Sequence, residues 1–220
     1  MVSLTVENYL KAIYQTCVGQ DGKPAATGQL AIALGVSPGS VTSMLKTLSE
    51  MGLVQYTPYE GVELTESGSR LALRILRRHR LIELFLVDTL GLTWDEVHEE
   101  AERMEHAMSD LLIDRIDALL GYPEVDPHGD PIPQADGTIR PSQGRMLAAC
   151  DVGDEFRLTR VLDQSADFLR FLSETGLPLG THGRVVANRA EAGTVTVEVA
   201  GQETTLGREA AEKLLVTGID

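Results

Sequence analysis

His98, Glu102, Glu105 and His106 are separated by four, three and one residues, and His79 and Glu83 repeat the four-residue step a little earlier. At about 100° of rotation per residue, the first four project from roughly a 100° arc of one helix. Imidazoles and carboxylates are common ligands of divalent metal ions. Six of them within 28 residues therefore read as a metal-binding region. Crowded carboxylates repel one another and buried imidazoles lose hydration, so such a row needs a cation or a set of arginine partners. Arg103 is one of few cations nearby. The competing reading is an acidic helix whose histidines are satisfied structurally.

Two helices must carry this row. Trp94, Val97, Ala101, Met104 and Met108 form an apolar stripe beside it, which predicts one helix from Thr93 to Leu120, ended by Gly121. Its second half, with Leu111, Leu112, Ile113, Ile116, Leu119 and Leu120, is more apolar than one small domain needs and predicts a self-association surface. The preceding helix is capped by Thr65, runs through Leu71, Ile75, His79, Ile82 and Leu86, and stops near Gly91.

Upstream, Val6, Tyr9, Leu10, Ile13, Tyr14 and Cys17 keep helical spacing. A short helix capped by Thr27 and stopped by Gly35 follows, and then a third with Ser37 as N-cap, Pro38 at its first position and Val41, Leu45 and Leu48 inward. Two short strands, Leu53 to Tyr56 and Val62 to Leu64, flank a Pro/Gly turn. This order is that of a winged helix-turn-helix, whose third helix enters the major groove of double-stranded DNA. Ser37, Pro38, Gly39, Ser40, Thr42, Ser43 and Lys46 then form the DNA-facing row, with Tyr56 or Tyr59 of the wing reaching the backbone. No outward Arg or Gln supplies a strong base-reading pair, so thymine methyl contacts and groove shape enter the readout. A plain solvated helix face is the alternative.

Tyr122 to Pro141 holds five prolines and two glycines and reads as a linker. Beyond it, β-like runs Glu155 to Val161, Gly183 to Ala187 and Thr194 to Val199, interrupted by a helix around Asp167 to Glu174, predict a small β-barrel of SH3-like size. The fold class is thus mainly α with α+β parts, divided at residues 1–65, 66–141 and 142–220. The net charge of −14 argues against nucleic acid until its distribution is read: residues 1–80 balance at +2, 81–150 at −11 and 151–220 at −5. A DNA-facing module on an acidic, cation-attracting body fits that asymmetry. No apolar run reaches a membrane span and Met1 to Leu10 lacks a signal-peptide pattern, so no membrane partner and a cytoplasmic location are expected. Cys17 and Cys150 have no ligand spacing, and His128 and His182, each beside a glycine or a turn, read as turn or surface residues.

With a winged helix followed by this cluster, the chain resembles the diphtheria-toxin-repressor family of metal-dependent transcriptional regulators. The resemblance rests on Arg78-His79-Arg80-Leu81 with Glu83, the stretch from Val97 to Asp110, and Gly129-Asp130-Pro131-Ile132-Pro133. It implies a homodimeric regulator with an N-terminal winged helix, a helical dimerisation and metal-binding domain and a C-terminal SH3-like domain. It also implies that His79, Glu83 and His98 form an ancillary metal site, with Gln164 and Asp167 as candidates from the last domain. Glu102, Glu105 and His106 then match the regulatory site, completed by Asn8 from the first helix. The chain departs from the family at Asn8, where Met or Asp is usual, and at Lys11, where the manganese-sensing branch has Glu; Glu7 is the adjacent carboxylate.

Iron-sensing members carry a Cys at the position of Glu102, so this site is all oxygen and nitrogen. That favours Mn(II) first and Fe(II) second, with other divalent metals able to bind in vitro. The expected activity is repression of metal-uptake genes by a coupled metal and DNA switch. No organic cofactor and no catalysis are expected. A carboxylate-bridged di-metal enzyme would need two Glu-x-x-His units, and a zinc hydrolase a His-Glu-x-x-His, and neither is in the chain. A metal-independent winged-helix regulator would not need the three aligned histidines.

Overall fold

The computed structural model describes residues 3–140 and 143–218, so Pro141, the last proline of the expected linker, lies outside the described residues. Two compact units emerge: residues 1–79 with 133–138, and residues 80–132 with 139–220.

The first unit opens with α1 (Leu4–Gly19), capped by the Ser3 hydroxyl, which accepts from the Val6 N–H. It buries Val6, Tyr9, Leu10 and Ile13, the face set by helical spacing. α2 (Thr27–Leu34) ends on left-handed Gly35 as expected, but Thr27 is not its cap; Ala26 is, and its N–H is taken by the Gln29 side chain at 2.8 Å. α3 (Pro38–Glu50) starts on the Ser37 cap and buries Val41, Leu45 and Leu48 completely. β1 (Val54–Thr57) and β2 (Gly61–Leu64) pair antiparallel, each one residue off its expected bounds. Ala25 bridges to Val62, adding a third short contact to this wing. α4 (Glu66–Leu90) starts with the Thr65 hydroxyl accepting from the Gly68 N–H and ends before left-handed Gly91.

In the second unit the expected helix from Thr93 to Leu120 is two helices, α5 (Val97–Glu105) and α6 (Asp110–Leu119). Ser109 causes the break, because its hydroxyl accepts from the Leu112 N–H and so caps a new helix. Leu81, Ile82, Leu86, Val97, Ala101, Ile113, Ile116 and Ile132 make the helical core. Leu111, Leu112 and Leu119 stay exposed on α6.

The C-terminal strands β3 (Arg145–Met146), β4 (Glu155–Val161), β5 (His182–Arg189), β6 (Thr194–Val199), β7 (Gln202–Gly207) and β8 (Leu214–Gly218) form one antiparallel sheet in the order β3-β8-β4-β5-β6-β7. Register shifts in β4 and β5 let it curl round a core of Phe156, Leu158, Val161, Val185, Val195, Val197, Leu206, Leu214 and Val216. α7 (Ala166–Glu174) and the short α8 (Arg208–Glu212) close that core with Leu169, Leu172 and Ala211. β7, β8 and α8 fall outside the runs read from sequence, since only Leu206, Leu214, Val216 and Ala211 of them face inward.

Gly68 holds α4 against the strand pair: a Cβ there would stand 2.0 Å from the Leu53 carbonyl oxygen. Gly68→Ala is expected to destabilise the first unit by about 2 kcal/mol or more, read as a lower urea midpoint for its unfolding.

Candidate functional site

The acidic row of α5 faces α4, and the His98 imidazole stands between them. His98 Nδ1 lies 3.2 Å from Glu83 Oε1 and His98 Nε2 lies 3.9 Å from Glu102 Oε1, so its ring links the two carboxylates. Glu83 is 1% exposed and Glu102 about a third exposed. Glu105 is equally buried, and its carboxylate stands 3.1 Å from His106 Nε2 at the C-terminal cap of α5. His79 is buried one helical turn before Glu83 on the continuous helix α4, hence on the same face. Asn8 lies on α1, and its side-chain oxygen is buried with no hydrogen-bond partner.

A further group was missed in the sequence. Glu83, Asp126 and His128 each present a ligand atom within 4.8 Å of the others, and all three are buried. His128, read from sequence as a turn or surface residue, has no exposed side-chain area. Its Nδ1 has no hydrogen-bond partner and points to Glu83 Oε2 at 3.8 Å and Asp126 Oδ1 at 3.9 Å. Burial raises the Asp126 carboxyl well above its ordinary range, with Asp130 and Glu83 adding to the shift and Arg80 opposing it. The prolines and glycines of residues 122–141 masked this loop as a linker, yet Asp126, His128 and Asp130 alternate within five residues, and that spacing was the available signal.

The loop is fixed, and its hydrogen bonds say how. Asp126 Oδ1 accepts from the N–H groups of His128 and Asp130 at 2.8 and 2.9 Å, a local turn that needs no regular structure. Arg80 donates to Asp130 at 2.9 Å and to the Pro131 carbonyl at 2.6 Å. Arg160 of β4 donates to the other Asp130 oxygen at 2.5 Å, and the Val161 N–H to the His128 carbonyl at 2.9 Å. Gly129, at φ 85°, lies so close to β4 that a Cβ would stand 2.0 Å from the Thr159 carbonyl oxygen.

The two candidates from the C-terminal domain are engaged elsewhere. Gln164 donates to Asp130 at 3.3 Å. Asp167 is 95% exposed, pairs with Arg170 at 2.5 Å, and belongs to no cluster of three metal-capable side chains among the described residues. Cys17 and Cys150 sit against the cores of the N-terminal unit and the β-domain, where burial raises their thiols, and bring no thiolate to these groups. Buried, unpartnered His128 Nδ1 beside the carboxylates of Glu83 and Asp126 makes an oxygen and nitrogen donor set that fits divalent cations well.

In the first unit, Ser37, Pro38, Gly39, Ser40, Ser43 and Lys46 are exposed on α3 and Thr42 is half-buried. Ser37 and Thr42 spend part of their hydrogen-bonding capacity at home: the Ser37 oxygen accepts from the Ser40 N–H and the Thr42 hydroxyl donates to the Pro38 carbonyl. Thr42 and Lys46 face Tyr56, Pro58, Tyr59 and Gly61 of the wing across a groove of about 510 Å³. Tyr59 is fully exposed at the wing tip with φ 71°, a conformation L-residues rarely adopt.

Comparison with known proteins agrees across the chain. The family description "Iron dependent repressor, N-terminal DNA binding domain" matches residues 1–62, "Iron dependent repressor, metal binding and dimerisation domain" residues 65–134, and "FeoA domain" residues 145–218. The chain is 32% identical to the iron-dependent repressor IdeR of Mycobacterium tuberculosis over 225 aligned positions, covering 96% of each. It is 29% identical to the diphtheria toxin repressor of Corynebacterium efficiens, covering 98% of this chain and 96% of that one. Among solved structures, a manganese-dependent transcriptional repressor in complex with manganese superposes with a TM-score of 0.88 at 42% identity, covering 97% of this chain and all of that one. Members of this family are DNA-binding repressors and not enzymes. The chain belongs to the iron-dependent and diphtheria-toxin repressor family: it is a metal-dependent, DNA-binding transcriptional repressor with a metal-binding and dimerisation domain.

Proposed function

We propose that this repressor answers to Mn(II) ahead of Fe(II), through two groups of ligands. His79, Glu83 and His98, joined by Asp126 and His128, form one; Glu102, Glu105 and His106, completed by Asn8 or Glu7 of the first helix, form the other. The observation that carries the metal preference is Glu102 beside His98, an oxygen donor in a set that contains no thiolate. Hard carboxylate ligands suit manganese, and selection over zinc or copper falls to geometry and availability. The similarity to a manganese-dependent repressor solved with manganese supports the same choice.

A bound cation supplies the positive charge that lets Glu102 and Glu105 stand together. Glu105 and His106 pair at the end of α5, and a cation held there would recruit the Asn8 oxygen of α1, which has no hydrogen-bond partner. α1 packs in one core with α2 and α3, so fixing α1 sets the recognition helix. DNA and metal must then tighten each other by the same factor. On DNA, the α3 row from Ser37 to Lys46 lies in the major groove and Tyr59 reaches the backbone. Leu111, Leu112 and Leu119 of α6 form the dimer face. Repression that strengthens with metal suits genes of metal uptake, in the cytoplasm where their DNA is; no helix among the described residues is long and apolar enough to cross a membrane. The three regions 1–65, 66–141 and 142–220 are the proposed functional divisions.

DNA-binding anisotropy at fixed ionic strength should rise with Mn(II) and lose at least tenfold in affinity on chelation, by order of magnitude for a coupled switch. Glu102→Cys should move the preference toward Fe(II); identical Mn(II) and Fe(II) curves before and after that substitution would remove the argument from Glu102. Lys46→Ala should weaken binding evenly across sequences and lower the salt slope by about 1. Leu112→Asp with Leu119→Asp should shift the dimer toward monomer in sedimentation, and an unchanged dimer would move the interface off α6.

A further inference from the structure

Trp94 was expected in the apolar stripe of α5, but it stands in the turn before that helix and packs against the core of the C-terminal β-domain. It touches His128 twice. Its carbonyl oxygen lies 2.8 Å from His128 Nε2, and its indole stacks on the imidazole with centroids 6.1 Å apart and planes 16° apart. The indole Nε1–H donates to Ser173 Oγ of α7 at 2.9 Å. The Ser173 hydroxyl in turn donates to the Leu169 carbonyl at 3.1 Å, so its hydrogen is used and its lone pair serves Trp94. Next to Trp94, Asp95 accepts from Arg170, also on α7, at 3.3 Å.

A carbonyl only accepts, so His128 Nε2 carries the hydrogen of that bond. The neutral ring then has its lone pair on Nδ1, the nitrogen that is buried, has no partner and faces Glu83 and Asp126. We infer that Trp94 is a positioning residue: its carbonyl sets the tautomer and plane of His128 for metal ligation through Nδ1, and its bond to Ser173 joins that ligation to the seating of α7 and the β-domain on residues 80–132. The inference rests on the proposed reading of Glu83, Asp126 and His128 as metal ligands. A partner that orients a ligating imidazole raises metal affinity by one to two powers of ten. By linkage, seating of the β-domain and metal occupancy at this group strengthen each other equally.

Trp94 is the chain's one tryptophan, so its emission reports the site in the full-length protein. Nitrogen-15 spectra of the metal-free protein should show His128 as the Nε2–H tautomer, and Zn(II), a diamagnetic probe, should shift Nδ1. Mn(II) should change Trp94 emission saturably in the unsubstituted protein and in His106→Ala, and not in His128→Ala. Calorimetric titration of Ser173→Ala with Mn(II) should show about tenfold weaker binding at the step that His128→Ala removes, with the other step unmoved; Ser173→Thr, which keeps the hydroxyl, should restore it. If His128→Ala removes no binding step, the metal assignment of that group falls and the coupling with it. If it removes one but Ser173→Ala titrates like the unsubstituted protein, or His128 carries its hydrogen on Nδ1, the assignment stands and the positioning by Trp94 is overturned.

Discussion

A carboxylate with 1% exposure has to be matched by donors or cations, and Glu83 is that carboxylate here. One of its oxygens faces His98 and the other faces His128, so two imidazoles 30 residues apart in the sequence converge on one side chain. His98 is placed by α5, whose buried Val97 and Ala101 fix its rotation. His128 is placed by a loop with no regular structure, and that loop needs its own supports. The surrounding architecture can be read as the set of contacts that keep these two rings on Glu83.

The loop shows how irregular backbone becomes rigid. Asp126 turns the chain by accepting two N–H groups on one oxygen, and Asp130 ties Arg80 of α4 to Arg160 of β4. Gly129 allows backbone to approach β4 where no Cβ fits, and the His128 carbonyl accepts from Val161. Both charged ends of this network are largely buried, so each ion pair acts at a lower dielectric than a surface pair would. The β-domain is thereby joined to the donors of the helical domain through backbone contacts and charge, with Gln164 at the rim of the same network on Asp130.

Much of this was legible from spacing. The steps between His98, Glu102, Glu105 and His106 located the α5 row, and Gly35 and Ser37-Pro38 located the end of α2 and the start of α3 to the residue. Local chemistry decides such features, because a cap or a helical face depends on neighbours a few residues away. Spacing failed where a single side chain overrode a periodic pattern: Ser109 split one expected helix into two, and Trp94 left its stripe for the β-domain core. It failed also where partners are far apart in sequence. His128 was read as a turn residue, yet it is buried against Glu83 and the Trp94 carbonyl, 45 and 34 residues away.

By itself the sequence determined the order of elements, the acidic row of α5, the absence of cysteine from ligand spacing and the exposed polar face of α3, since each is a matter of residue type and short-range period. Only the tertiary structure decided which donors meet. Glu83 and His128 are 45 residues apart, and what brings them within 3.8 Å is a buried loop stitched to β4, a set of contacts that no local pattern encodes. Tertiary packing also set the two ring nitrogens of His128 apart, because the carbonyl of Trp94 takes one and leaves the other facing two carboxylates.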